Sequence, residues 1–241
     1  ACNVSDKYFK VERVTESSYI DTLLDICISN NIKMIVPTID TELQILADNN
    51  KLFEENGIHI VISSPEFISI CRDKRKTNVF FEAHDITIPK SIDKYNPTFP
   101  LFIKPYDGSL SSNIFIINSS DELLPMHLDN EKFMFMELID KSIYDEYTID
   151  LYYGKDSNLK CIVPRRRIAV RAGEILKGLT CKNHIVSYLK ERIPHIDGAF
   201  GCLTLQVFYS EETNKIIGIE INPRFGGGFP LSYLAGGNYP L

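Results

Sequence analysis

The sequence predicts a mixed architecture, α/β at the amino-terminal end and α+β over the rest. Two observations carry that expectation. Helical and strand-like patterns alternate between residues 17 and 62, and such alternation implies parallel strands in an open sheet. Near the other end, two β-type runs flank the polar turn Glu211-Glu212-Thr213-Asn214 and read as a two-faced hairpin. With 241 residues the chain has ample material for a core, in one large domain or two small ones.

Composition narrows the function classes. Hydrophobic residues at 44% and charged residues at 24% are ordinary for a soluble globular protein. A formal net charge of -6 argues against a nucleic-acid binder driven by phosphate contacts, although Arg72, Lys74, Arg75 and Lys76 form a local cluster able to meet a phosphate together. None of the cysteines, Cys2, Cys27, Cys71, Cys161, Cys181 and Cys202, forms a C-x-x-C pair, and no zinc spacing appears. Reduced, mostly buried thiols in a cytoplasmic protein are therefore expected. No apolar run is long enough to span a bilayer and no signal peptide is read, so no membrane partner is expected. Ala1 is not a methionine, which leads to the expectation that the true amino terminus is missing.

Taken in order, Ile20, Leu23, Leu24, Cys27 and Ile28 recur at helical spacing behind the caps Ser17 and Ser18, with Asn30-Asn31 as the stop. A strand over 32 to 36 follows. Thr41 is expected to cap one helix carrying Leu43, Leu46, Ala47 and Phe53 and ending at Gly57, before a strand over 58 to 62. Ser64-Pro65 opens a short helix and Asp73 another. Residues 84 to 100, rich in Pro, Asp, Lys and Asn, read as a linker or hinge. The next strand delivers Lys104 to its end, where Asp107-Gly108 turns and Ser109, Ser111 and Ser112 offer hydroxyls and amides.

Residues 133 to 153 read as two strands around a polar joint, the apolar Met134, Met136 and Leu138 being core packing. In the run from 162 to 180, strand alternation aims Arg165, Arg167 and Arg171 one way and Arg166 the other, with Lys177 further on. Residues 181 to 193 suit an outer helix.

On the hairpin, Leu203, Leu205 and Val207 share parity, as do Ile217, Ile219 and Ile221, which makes one face apolar. The other face carries Thr204, Gln206, Gly218, Glu220 and Asn222. A turn centred near Thr213 puts Gln206 opposite Glu220 and Thr204 opposite Asn222. Gln206, Glu220 and Asn222 then form a hard-oxygen set of one carboxylate and two amides, the kind that holds magnesium together with nucleotide phosphates. Arg224 follows, and Gly226-Gly227-Gly228 leaves backbone amides open to an anion.

The stretch EINPRFGGGFPLSYLAGG, with Gln206 upstream, resembles the metal-binding end of an ATP-grasp domain of the carbamoyl-phosphate-synthase-like kind. The K-P-x-D-G-S run at Lys104 is similar to that family's loop over the triphosphate. The resemblance implies an incomplete Rossmann-like pre-ATP-grasp domain over 1-75, lacking the family's first strand and glycine turn, then an ATP-grasp fold with a lid subdomain over 76-138 and a metal-binding subdomain over 139-241.

By the same resemblance, Gln206, Glu220 and Asn222 hold magnesium or manganese and Arg224 faces the reacting carboxylate. Lys74, Lys104, Gly108, Ser109 and Ser111 meet the phosphates of ATP. Glu137, Leu138 and Ile139 lie at the adenine edge and Glu146 at the ribose. Arg167, Arg171 and Lys177 are the candidates for the basic residue that steadies the transferred phosphoryl group, in no firm order. The implied activity is that of an ATP- and magnesium-dependent ligase, joining a small-molecule carboxylate to an amine or other nucleophile through an acyl phosphate. A homodimer is one assembly it allows. One such module, without the tandem pair of the carbamoyl-phosphate synthase large subunit, disfavours carbamoyl-phosphate synthesis itself. The alternative is an ATP-binding module without catalysis.

Overall fold

The computed structural model describes residues 5–108, 113–171 and 174–239, and they fold around three hydrophobic cores. The first belongs to the amino-terminal alternation: α1 (Tyr19–Ser29), β1 (Met34–Ile35), α2 (Asp40–Asp48), α3 (Asn50–Glu55) and β2 (His59–Ile60). Strands β1 and β2 pair in parallel, with Met34 opposite His59. Both are shorter than the sequence suggests. Leu43, Leu46, Ala47 and Phe53 all reach this core, yet the helix that carries them is divided. Asn49 caps α2, and its side-chain amide donates to the Ile45 carbonyl where the chain turns into α3. Thr41 is not the cap either. Glu42 reaches back to accept from the amides of Thr38 and Ile39, so the helix starts at Asp40.

Helices α4 (Pro65–Arg72) and α5 (Lys74–Ala83) lead into the largest core. Ser64 caps α4 with Pro65 in its first turn, and Asp73 caps α5 by accepting from the Arg75 amide. Their inner residues Phe67, Cys71 and Phe81 pack with α7 (His184–Arg192) against one face of a five-stranded antiparallel sheet. In spatial order it holds β10 (Ile216–Asn222), β9 (Gly201–Tyr209), β6 (Asp145–Tyr153), β7 (Leu159–Arg171) and β8 (Glu174–Thr180). Helix α7 begins later than the sequence suggests, because Asn183 accepts from the Ile185 amide and caps it there.

A three-stranded antiparallel sheet encloses the third core. It holds β4 (Phe115–Ile117), β3 (Leu101–Pro105) and β5 (Phe133–Glu137) in that order, and α6 (Pro125–Asp129) precedes β5. Leu101 and Ile103 point into this core and, by strand alternation, Phe102 and Lys104 point the other way. The segment read as a linker is tied to β5: the Lys90 amide donates to the Glu137 carboxylate, and the amides of Glu137 and Ile92 donate to the carbonyls of Lys90 and Phe135.

The hairpin β9–β10 has the register expected from its turn, Gln206 opposite Glu220 and Thr204 opposite Asn222. Its apolar face is not the expected one throughout. The ladder shifts between Gly218 and Glu220, and one extra residue in a strand reverses parity beyond it. Ile216 and Ile221 therefore enter the core, whereas Ile217 pairs with Phe208 and Ile219 lines the cavity described below. Gly218 faces the core as well, where a β-carbon would fall 2.8 Å from the Phe81 ring.

Candidate active site

The polar face of the five-stranded sheet, the outward face of β3 and the ends of α2, α4 and α5 enclose a cavity of about 490 Å3. Alternation along four adjacent strands builds its floor from Glu146 and Thr148 on β6, Arg165 and Arg167 on β7, Thr204 and Gln206 on β9, and Glu220 and Asn222 on β10. The opposite wall presents Lys104 among the apolar side chains Phe102, Ile114, Ile116 and Met136.

Two lysines and one carboxylate converge at the centre. Lys74, the first residue of α5, donates to the Gly108 carbonyl at 2.6 Å and stands 3.5 Å from Glu220 Oε2. Gly108 is required where it lies, because a β-carbon would sit 2.4 Å from Pro105 Cγ. Lys104 and Lys74 each retain only 9% exposure. Burial draws the Lys104 ammonium down to about 8; the Glu220 carboxylate works against that shift and the neighbouring Lys74 charge adds to it.

Glu220 stands beside Gln206 across the ladder, and Asn222 Nδ2 donates to Glu220 Oε1 at 3.1 Å. All three line the cavity. Among the described residues no group of three or more His, Cys, Asp or Glu side chains could hold a metal, so a soft-ligand metal centre is not found there. One carboxylate with two amide oxygens suits a hard cation that shares its remaining positions with phosphate oxygens, and the donor set fits magnesium in that sense.

The remaining sequence candidates divide. Glu137, Leu138 and Ile139, at the end of β5, line the cavity, as does Glu146. Arg167 Nε lies 3.1 Å from Glu146 Oε1, and its Nη1 donates to Thr148. Lys177 is exposed and is not among the lining residues. Ser109, Ser111 and the Arg171 side chain lie outside the described residues. The basic cluster disperses because successive helical residues point in different directions. Arg72 and Lys74 face the cavity, Arg75 pairs with Asp73 and lies over the Tyr106 ring, and Lys76 donates to Ser69.

Two features are not marked in the sequence. Arg165 is 1% exposed and makes a two-pronged ion pair with Asp150, itself fully buried, to which Ser232 also donates. Its guanidinium lies under the glycine run: a β-carbon on Gly228 would come within 1.8 Å of Nη1, which explains the need for glycine there. Strand alternation puts Arg165 on the same side as Arg167, but it does not single out Asp150 as its partner. The second feature is Asp40, whose carboxylate accepts from Nε and Nη2 of Arg224, 184 residues away in sequence. No local pattern announces that contact.

Two family models match: one described as PylC-like, N-terminal domain, over residues 1–61, and one described as ATP-grasp in the biosynthetic pathway with Ter operon, over residues 129–241. No curated protein sequence matches the chain. Among solved structures, Rhizobium etli pyruvate carboxylase superposes with a TM-score of 0.71 at 11% identity, over 97% of this chain and 23% of that one. The biotin carboxylase domain of Hydrogenobacter thermophilus 2-oxoglutarate carboxylase, with MgADP, ADP and bicarbonate, gives 0.70 at 15% identity, over 97% and 57%. L-amino acid ligase from Bacillus licheniformis gives 0.67 at 13% identity, over 92% and 57%. At such identities the likeness is one of fold, and the chain spans less than two thirds of each of these structures.

Proposed function

We propose that the chain, whose residues 129–241 match an ATP-grasp family model, is an ATP- and magnesium-dependent ligase that activates a carboxylate as an acyl phosphate and passes it to an amine or other nucleophile. The observation that carries this reading is the apposition of Lys74, Lys104 and Glu220, together with Gln206 and Asn222, in one cavity. Two ammonium groups beside a hard-oxygen set are complementary to a triphosphate with its cation.

In this reading the adenine lies against the end of β5 at Glu137, Leu138 and Ile139, and Glu146 accepts from the ribose hydroxyls. Lys74 and Lys104 bind the phosphates with Gly108, Ser109 and Ser111. Gln206, Glu220 and Asn222 would hold magnesium, which would supply neutralisation of the phosphate charge. Arg167 steadies the transferring phosphoryl group, a role for which Arg171 and Lys177 are the other candidates. An oxygen of the acceptor carboxylate, held by Arg224, attacks the γ-phosphorus; the bond to the β,γ-bridging oxygen breaks and ADP leaves. The nucleophile then attacks the acyl carbon and inorganic phosphate departs. No side-chain nucleophile is required.

The reading is tested by phosphate release on mixing the chain, ATP and magnesium with panels of carboxylates and amines. Release that depends on both ATP and an acceptor is expected; tight ATP binding with no turnover across broad panels identifies a binding module instead.

Lys104 makes the pH dependence specific. Its ammonium carries charge below about pH 8 and loses it above. ATP affinity is therefore expected to fall by about tenfold per pH unit above that point, and Lys104→Met removes the dependence. Stability moves in the opposite sense. Between about 8 and the usual 10.5 the unfolded chain holds the proton and the folded one does not, so this group makes the fold more stable as pH rises through that window. A pH series of ATP titrations and denaturant midpoints reads both.

A further inference from the structure

Among the described residues four carboxylates line the cavity, and three of them have a place in the nucleotide reading: Glu137 and Glu146 at the adenosine end and Glu220 in the oxygen set. The fourth, Asp40, enters from the amino-terminal unit and engages the guanidinium expected to hold the acceptor. Its two oxygens accept from Arg224 Nε at 2.7 Å and from Nη2, while Nη1 donates to the Phe225 carbonyl. Both side chains are about four-fifths buried.

This pairing constrains what the acceptor can be. A simple carboxylate that takes Arg224 must displace Asp40, leaving a mostly buried anion without its counter-charge, which is the costly half of breaking such a pair. An acceptor that carries an ammonium beside its carboxylate exchanges partners instead. Its carboxylate replaces Asp40 on the guanidinium and its ammonium replaces the guanidinium on Asp40, so every charge stays paired.

The wall beside the pair is apolar. Leu43, one turn along α2 from Asp40, and Ile68 and Cys71 of α4 line the same cavity. Burial, with the Asp40 charge added, keeps the Cys71 thiol protonated and uncharged.

We infer that Asp40 is a specificity-determining residue of the acceptor site, which selects a zwitterionic α-amino acid with an aliphatic side chain as the carboxylate to be activated. The inference rests on the ligase reading above, and it adds the ion-pair exchange between Asp40 and Arg224 as the device that rejects carboxylates lacking an amino group.

The test measures phosphate release with ATP, magnesium and the same saturating amine nucleophile throughout, for aliphatic amino acids, each beside its counterpart without the amino group, such as L-leucine beside 4-methylpentanoate. The KM for leucine is expected to be lower by at least about tenfold. Asp40→Asn is expected to raise the leucine KM to that of 4-methylpentanoate, and Asp40→Glu to recover part of the difference. Equal KM values in the wild-type protein, an Asp40→Asn change that raises both KM values alike, or no turnover with any pair while ADP and magnesium still raise the melting temperature, overturns the inference. Absence of that nucleotide-induced shift, or of turnover with every carboxylate and amine tried, overturns the ligase reading itself; turnover with other carboxylates but with none of these amino acids overturns the inference alone.

Discussion

Glu220→Ala is expected to lower magnesium-dependent ATP turnover by about a hundred- to a thousandfold, the loss typical when a preorganised electrostatic group is removed from a phosphoryl- or acyl-transfer site. Glu220 is the one carboxylate of the oxygen set; Gln206 and Asn222 bring dipoles without net charge. Its removal also leaves Lys74 and Lys104 without the anion that faces them. The defect should be specific to the metal-dependent step. Glu220 is part-exposed and its partners keep other contacts, Lys74 with the Gly108 carbonyl among them, so folding should survive. The check is magnesium titration of ADP binding and of phosphate release in the variant, with circular dichroism as the control for folding. Magnesium-dependent turnover equal to wild type would refute the metal assignment.

Asp150→Ala should produce the largest loss of stability. Arg165 is held by both Asp150 oxygens, in a setting where the two side chains are 1% and 0% exposed. Removing the carboxylate strands a guanidinium in the interior, and breaking a buried pair from one side costs roughly 3–5 kcal/mol. Ser232 loses its acceptor as well, whereas the Tyr239 hydroxyl keeps its bond to the Asp150 carbonyl. Replacing both partners with apolar residues, Asp150→Leu with Arg165→Met, should restore most of the loss, because no unpaired charge remains. Denaturant midpoints of the single and double variants measure both effects. A loss below about 1 kcal/mol for Asp150→Ala would show that the pair is better solvated than its burial indicates.

How much of this molecule is legible in its sequence differs from segment to segment. Around 203–209 and 216–222, the turn at Glu211 to Asn214 and the period of two are enough to place Gln206 beside Glu220. The same argument misplaces Gly218 and Ile217, since the ladder shifts after Gly218 without a marker that separates a bulge from regular strand. The helix from 40 to 55 shows a related limit. Its apolar spacing is visible, but Asn49 reads as one more tolerable helical residue until its amide is seen bonding to the Ile45 carbonyl.

By itself the sequence determined the local things: the parallel alternation at the amino end, the strand that delivers Lys104 to its end, and the oxygen-bearing face of the last hairpin. These rest on period, capping and turn chemistry, which act between residues a few positions apart. Tertiary structure alone decided which charges meet. Asp40 is opposite Arg224, Lys74 beside Glu220 and Arg165 against Asp150 because three separate cores close around one cavity. Contacts between distant segments follow from how those cores pack, and no period along the chain encodes them.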